Sequence, residues 1–249
     1  MNHTELQLVW SDDFDGNTLD LSKWECEVNA FGGGNGELQI YTDHPKNVRV
    51  ENNRLILEAH HEPTCIQGTV RDWSSGRVRT KHRGDWTYGR FEIRAKIPRG
   101  RGLWPAIWLM PTDDHYGTWA ASGEIDIMEA KGQHQRTVSG ALHFGGPWPA
   151  NKFVQHTVRR GLWCPKFSDD FVTYALDWSR DRIQWLVNDE IVRERRPESW
   201  GASPGSHAPY DQRFHLLLNL AVGGHFPGPP DKHTRFPARM EVQGVRVWQ

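Results

Sequence analysis

Residues 123–130 read Gly-Glu-Ile-Asp-Ile-Met-Glu-Ala, and the rest of the chain is organised around them. Glu124, Asp126 and Glu129 stand among branched and apolar residues, the composition of a strand. Side chains alternate faces along a strand, so Glu124 and Asp126 share one face. Glu129 lies at an odd offset from Glu124 and points the other way on a regular strand. One extra residue, a β-bulge near Ile127 or Met128, returns it to the same side. The three acids then form a single row.

Four effective strand steps span ~13 Å. Two glutamate side chains leaning inward by roughly 4 Å each leave about 5–6 Å between carboxylates, near the ~5–5.5 Å gap of retaining glycosidases. There, one carboxylate attacks and the other serves as acid and then base. The plain alternative is a solvated acidic edge, since exposed carboxylates are common.

The longer stretch SGEIDIMEAKG, Ser122 to Gly132, resembles the active-site strand of glycoside hydrolase family 16. The form with the extra residue at Met128 is similar to that of its laminarinases, the endo-β-1,3-glucanases. Further matching segments span nearly the whole chain.

Length and composition agree with a large single domain over 1–249. Thirty basic and 31 acidic residues give a formal charge of −1, without a block of either sign. Nothing favours nucleic acid or an anionic membrane as partner. Thirteen tryptophans against five tyrosines is unusual; indoles fill cores and also stack on ligand faces. Twenty-four glycines and fifteen prolines suit many turns between short strands. No apolar run approaches ~18 residues. MNHTELQLVW lacks the basic-then-apolar order of a signal peptide. Cys26, Cys65 and Cys164 contain no C-x-x-C pair; free thiols are expected, with one disulfide possible.

NVRVENNRLILEAHH at 47–61 reads as a hairpin turning at Asn52-Asn53, and RIQWLVNDEIVRE as another turning at Asn188-Asp189. In YGRFEIRAKI at 88–97, Phe91, Ile93, Ala95 and Ile97 alternate with charged residues, the pattern of a half-buried strand. RFHLLLNLAVGG at 213–224 is almost continuously apolar, as a strand buried on both faces is. Residues 145–170 and 196–212 read as long loops.

Some dozen strands with turn signals predict an all-β sandwich. The resemblance implies more: a jelly roll of two curved antiparallel sheets, with an open substrate cleft on the concave face. It implies a retaining endo-β-1,3-glucanase with Glu124 as nucleophile, Glu129 as acid/base and Asp126 between them tuning Glu124. Two nearby carboxylates resist double ionisation, so Glu129 is expected protonated and Glu124 ionised. FGGGNGELQIYTD at 31–43 resembles the family's N-N-E-L-Q-x-Y-T, which places Asn35 on a sugar; otherwise Asn35 is a turn former. Arg79, Trp104, Trp108, Trp119 and His143 are similarly implied at the cleft; surface charge, core packing and a structural histidine are the alternatives. The family's N-W-P-G becomes His225-Phe226-Pro227-Gly228, so His225 and Phe226 line an altered subsite.

Catalysis in this family requires no cofactor. A structural calcium is doubtful, because Gln243 stands where an Asp often helps bind it. The partner implied is a β-1,3-glucan, and the protein a monomer, extracellular or periplasmic. The rival readings are a glucan-binding recognition protein, whose kind typically lacks the acids, and a transglycosylase or a hydrolase of another β-linked polysaccharide.

Overall fold

The computed structural model describes residues 6–203 and 205–249. Residues 1–5, which open the stretch read above for a leader, lie outside the described residues, as does Pro204.

The strands in chain order are β1 (Leu8–Asp12), β2 (Glu25–Cys26), β3 (Gln39–Tyr41), β4 (Val48–Val50), β5 (Leu55–Ile66), β6 (Thr69–Ser75), β7 (Arg77–Arg79), β8 (Asp85–Trp86) and β9 (Gly89–Lys96). They continue as β10 (Leu103–Pro111), β11 (Glu124–Glu129), β12 (Thr137–Gly145), β13 (Asn151–Arg159), β14 (Val172–Trp178), β15 (Ile183–Val187), β16 (Glu190–Arg195), β17 (Phe214–Val222) and β18 (Ala238–Trp248). They form two packed sheets. One runs β16-β15-β14-β9-β18-β5-β6-β3, with β1 and β4 paired at its side. The other runs β13-β12-β11-β10-β17-β7-β2, with β8 on β17. All pairings are antiparallel except β3 with β6. This is the expected jelly-roll sandwich, and its second sheet carries the row of acids on its outer face.

Local chemistry explains the frame. Asn52 and Asn53 both take positive φ, 54° and 55°, and so do Asn188 and Asp189 at 49° and 65°. Two successive left-handed residues match the twist of the flanking strands, which asparagine and aspartate tolerate. In β9, Phe91, Ile93 and Ala95 are fully buried and meet Val245 and Val247 of β18 in the core. β17 is buried at all nine positions. Its even-numbered residues face the other sheet, while Leu217 and Asn219 lie under the cleft floor.

Two sequence readings need correction. Residues 145–170 are not one loop: they contain β13, nine residues paired along their length with β12. As the edge of its sheet, β13 buries little and carries Lys152, Gln155 and Arg159, so it lacks an apolar signal. Residues 197–200 form a short 3-10 turn closed by Gly201, where the sequence reads as plain loop.

Candidate active site

The bulge decides the site. Met128 pairs with Ile107, but Asp126 pairs with Trp108, so Ile127 has no partner on β10. On the other side the register also slips between Asp126 and Glu129. Glu129 thereby stands opposite Ala106 and Ser139, on the face of Glu124 and Asp126. Met128 and Ile127 turn into the core.

A bulge leaves backbone groups without ladder partners. Here the Asp126 carbonyl accepts from Trp185 Nε1 of the opposite sheet at 2.8 Å. Trp185 reaches it because β12 has glycine at 140. A Cβ there would lie 2.7 Å from Trp185 Nε1 and 2.6 Å from His156 Cε1.

Each acid has its own polar partner. Trp119 Nε1 donates to Glu124 Oε2 at 2.5 Å, and Trp104 Nε1 donates to Glu129 Oε1 at 2.9 Å. His143, opposite Glu124 in register, places Nε2 3.2 Å from Asp126 Oδ2 and 3.9 Å from Glu124 Oε1. Its ring lies between Trp119, at 5.7 Å, and Phe153 of β13, at 5.6 Å. Tyr210 secures β12 from behind by donating to the His143 carbonyl at 2.7 Å.

Burial first, then the Asp126 charge, pushes Glu129 well above the usual carboxylate range. That agrees with a protonated Glu129. The same two causes push Glu124 up to about 8, with His143 and the Trp119 indole acting in the opposite direction. The expectation of an ionised Glu124 runs against the direction of this shift. It considered repulsion between two acids and omitted the desolvation that both suffer. The carboxylates around His143 outweigh its burial and raise it to about 9. It is charged at neutral pH.

The other residues expected at the cleft fall into two groups. Trp104 contacts Phe226 at 5.0 Å between ring centres, and Lys131 Nζ caps Phe226 at 4.3 Å. The His225 backbone N–H donates to the Asn35 carbonyl at 2.8 Å, and the His225 ring lies over Gly36. Asn35 itself donates its side-chain amide to Gly33 O at 3.1 Å, the turn-forming role. Trp108 is fixed by Asn219 Oδ1 at 2.7 Å. Arg79, expected at the cleft, is held by carboxylates of its own. Glu25 clamps it at 3.0 Å and Glu27 at 2.9 Å. The guanidinium over the cleft-floor indole belongs to Arg77, 4.8 Å from the centre of Trp108.

Sequence reading missed Phe153, Arg77, Lys131 and Asn219. Asn219, the one amide inside LLLNLAV, carried the clearest signal. A buried polar residue needs partners, and it has Trp108 and Tyr41.

Two places have cation-binding chemistry to consider. Ligand atoms of Glu124, Asp126 and His143 all lie within 4.8 Å of one another, so two of the acids and the histidine form a three-donor set. At Gln243, the amide oxygen accepts from Arg94 Nε at 2.9 Å, and nearby Asp13 is paired with Arg246 at 2.7 Å. Two guanidiniums stand where a divalent cation would need free oxygens, so this donor set does not favour calcium.

Known proteins share this architecture. A β-glucanase of Rhodothermus marinus is 42% identical over 98% of this chain and 85% of its own length. A glucan endo-1,3-β-glucosidase A1 of Niallia circulans is 39% identical over 98% of this chain, which spans only 38% of that longer protein. The laminarinase catalytic domain from Thermotoga maritima superimposes with a TM-score of 0.88 at 36% identity, covering 98% of each chain. The sequence profile of glycosyl hydrolases family 16 matches residues 34–227, from the loop before β3, through the bulged strand, to Pro227. With the fold, the row of acids and the whole-chain relatives in agreement, the chain belongs to glycosyl hydrolases family 16.

Proposed function

We propose that the protein is a retaining endo-β-1,3-glucanase that hydrolyses laminarin-like glucans through a covalent glycosyl-enzyme. The observation that carries this reading is the Ile127 bulge, which sets Glu124, Asp126 and Glu129 in one row on an open face. The names of the relatives point to the same substrate class.

In the first step Glu124 attacks the anomeric carbon while Glu129 protonates the departing glycosidic oxygen. Water then enters, Glu129 takes its proton, and the ester to Glu124 breaks. Burial suits Glu129 to hold the proton that this step spends. Glu124 must first be ionised. Positive His143 and the Trp119 N–H favour that form, while Asp126 opposes it and anchors His143. Trp119, half-exposed beside the nucleophile, offers an indole face to the sugar. On this reading the protein acts outside the cytoplasm, where a polymeric glucan that does not cross membranes would be met.

The test is digestion of laminarin, lichenan, agarose and carrageenan with product sizing, and proton NMR of the first anomer released. Laminarin should yield oligosaccharides with β configuration retained. Glu124→Gln and Glu129→Gln should each nearly abolish cleavage with the fold intact. A parent that cuts agarose or carrageenan and leaves laminarin untouched, or a folded variant of near-normal activity, overturns the reading.

A further inference from the structure

Beside Glu129 lies a cavity of about 260 Å³. Glu129 lines it, with Lys131, His134, Gln155, Thr157 and Arg159, whereas Glu124 and Asp126 do not. Lys131 and His134 follow β11. Thr157 and Arg159 stand on β13, in register with Ser139 and Thr137 of β12.

The charge here differs from that at the other end of the cleft. There, Arg77 and Arg79 are neutralised by Glu25 and Glu27 at 2.9–3.1 Å. Here, among the described residues, neither Lys131 nor Arg159 is paired with a carboxylate. Lys131 is half-buried over the Phe226 ring, and Arg159 is exposed with its donors open. A neutral glucan offers these cations no counter-charge.

We propose that this cavity receives a sugar bearing an anionic substituent, a carboxylate or a sulfate ester, on the leaving-group side of the bond cut. The side follows from the glucanase reading, on which the proposal rests. Glu129 protonates the leaving oxygen, so what lies beyond Glu129 and away from Glu124 belongs to the leaving group. The donors fit the ligand. A guanidinium binds planar or tetrahedral oxyanions through two parallel N–H bonds, and an ammonium adds a point charge. Gln155 and Thr157 supply neutral donors and acceptors for sugar hydroxyls.

The experiment is calorimetric titration of the Glu124→Gln protein with neutral, carboxymethylated and sulfated laminari-oligosaccharides, at ~20 mM and ~300 mM NaCl. Oligosaccharides carrying either substituent, or both, should bind about tenfold tighter than the neutral ones at low salt, and the advantage should shrink at high salt. Arg159→Gln should remove most of the advantage, and Lys131→Gln with Arg159→Gln should remove all of it. Equal affinity for all three ligands overturns the proposal, as does an advantage that survives the double substitution. Binding of the neutral oligosaccharide reports on the glucanase reading separately: its absence, with anionic ligands still bound, refutes that reading and the leaving-group assignment but not the anion site.

Discussion

The two indole hydrogen bonds offer a way to tell the two glutamates apart. Trp119 donates to Glu124 at 2.5 Å and Trp104 to Glu129 at 2.9 Å. Phenylalanine in either place keeps a ring and removes the N–H. A hydrogen bond to a charged group contributes about 1.5–3 kcal/mol. At about 1.4 kcal/mol per pKa unit, losing it raises the carboxylate by about 1–2 units, because the donor favoured the ionised form. The sign is the same for both, but the consequence differs. Glu124 must be ionised to attack, so its titration sets the rising limb of kcat/KM against pH. Trp119→Phe should move that limb to higher pH and narrow the active range. Glu129 must be protonated, so its titration sets the falling limb. Trp104→Phe should move that limb upward and widen the range. The acids interact, so each limb belongs to the cluster, and the larger movement identifies the residue. The assay is initial laminarin hydrolysis from about pH 4 to 10, with folding checked at each end. If Trp119→Phe moves the falling limb and Trp104→Phe the rising one, the roles assigned to Glu124 and Glu129 are reversed.

Trp119→Ala should lower laminarin kcat/KM by about 5- to 150-fold, from the roughly 1–3 kcal/mol of lost sugar stacking, with only a small change in Tm. A collapsed Tm with normal activity in the remaining folded protein makes Trp119 core. Gly140→Ala should destabilise the fold by about 1–3 kcal/mol, read by urea unfolding, because the new methyl drives Trp185 from the Asp126 carbonyl. Unchanged stability means that the bulge carbonyl needs no partner across the core.

What the sequence disclosed, and what it hid, follows from the range of the interactions involved. Alternation in Phe91, Ile93 and Ala95, and left-handed turns at Asn52-Asn53 and Asn188-Asp189, are set within a few residues. They can be read without knowing any neighbour. The bulge was legible for a different reason: three acids at offsets of two and five cannot share a face on a regular strand. The strand β13 was hidden because an edge need not bury either face, so NKFVQHTVR looks like loop. Phe153 was hidden with it. Arg77 and Arg79 are two apart on one strand and share a face, so nothing local separates the guanidinium over Trp108 from the one clamped by Glu25 and Glu27. The choice is made by acids some fifty residues earlier. The support beneath the acids is the most remote of all. Trp185 lies 59 residues from the Asp126 carbonyl it satisfies, and Gly140 matters only as the space it leaves for that indole. The sequence therefore shows the reacting groups, which stand on one strand. The parts that hold them in place are contributed by the other strands and by the opposite sheet, and only the fold brings them together.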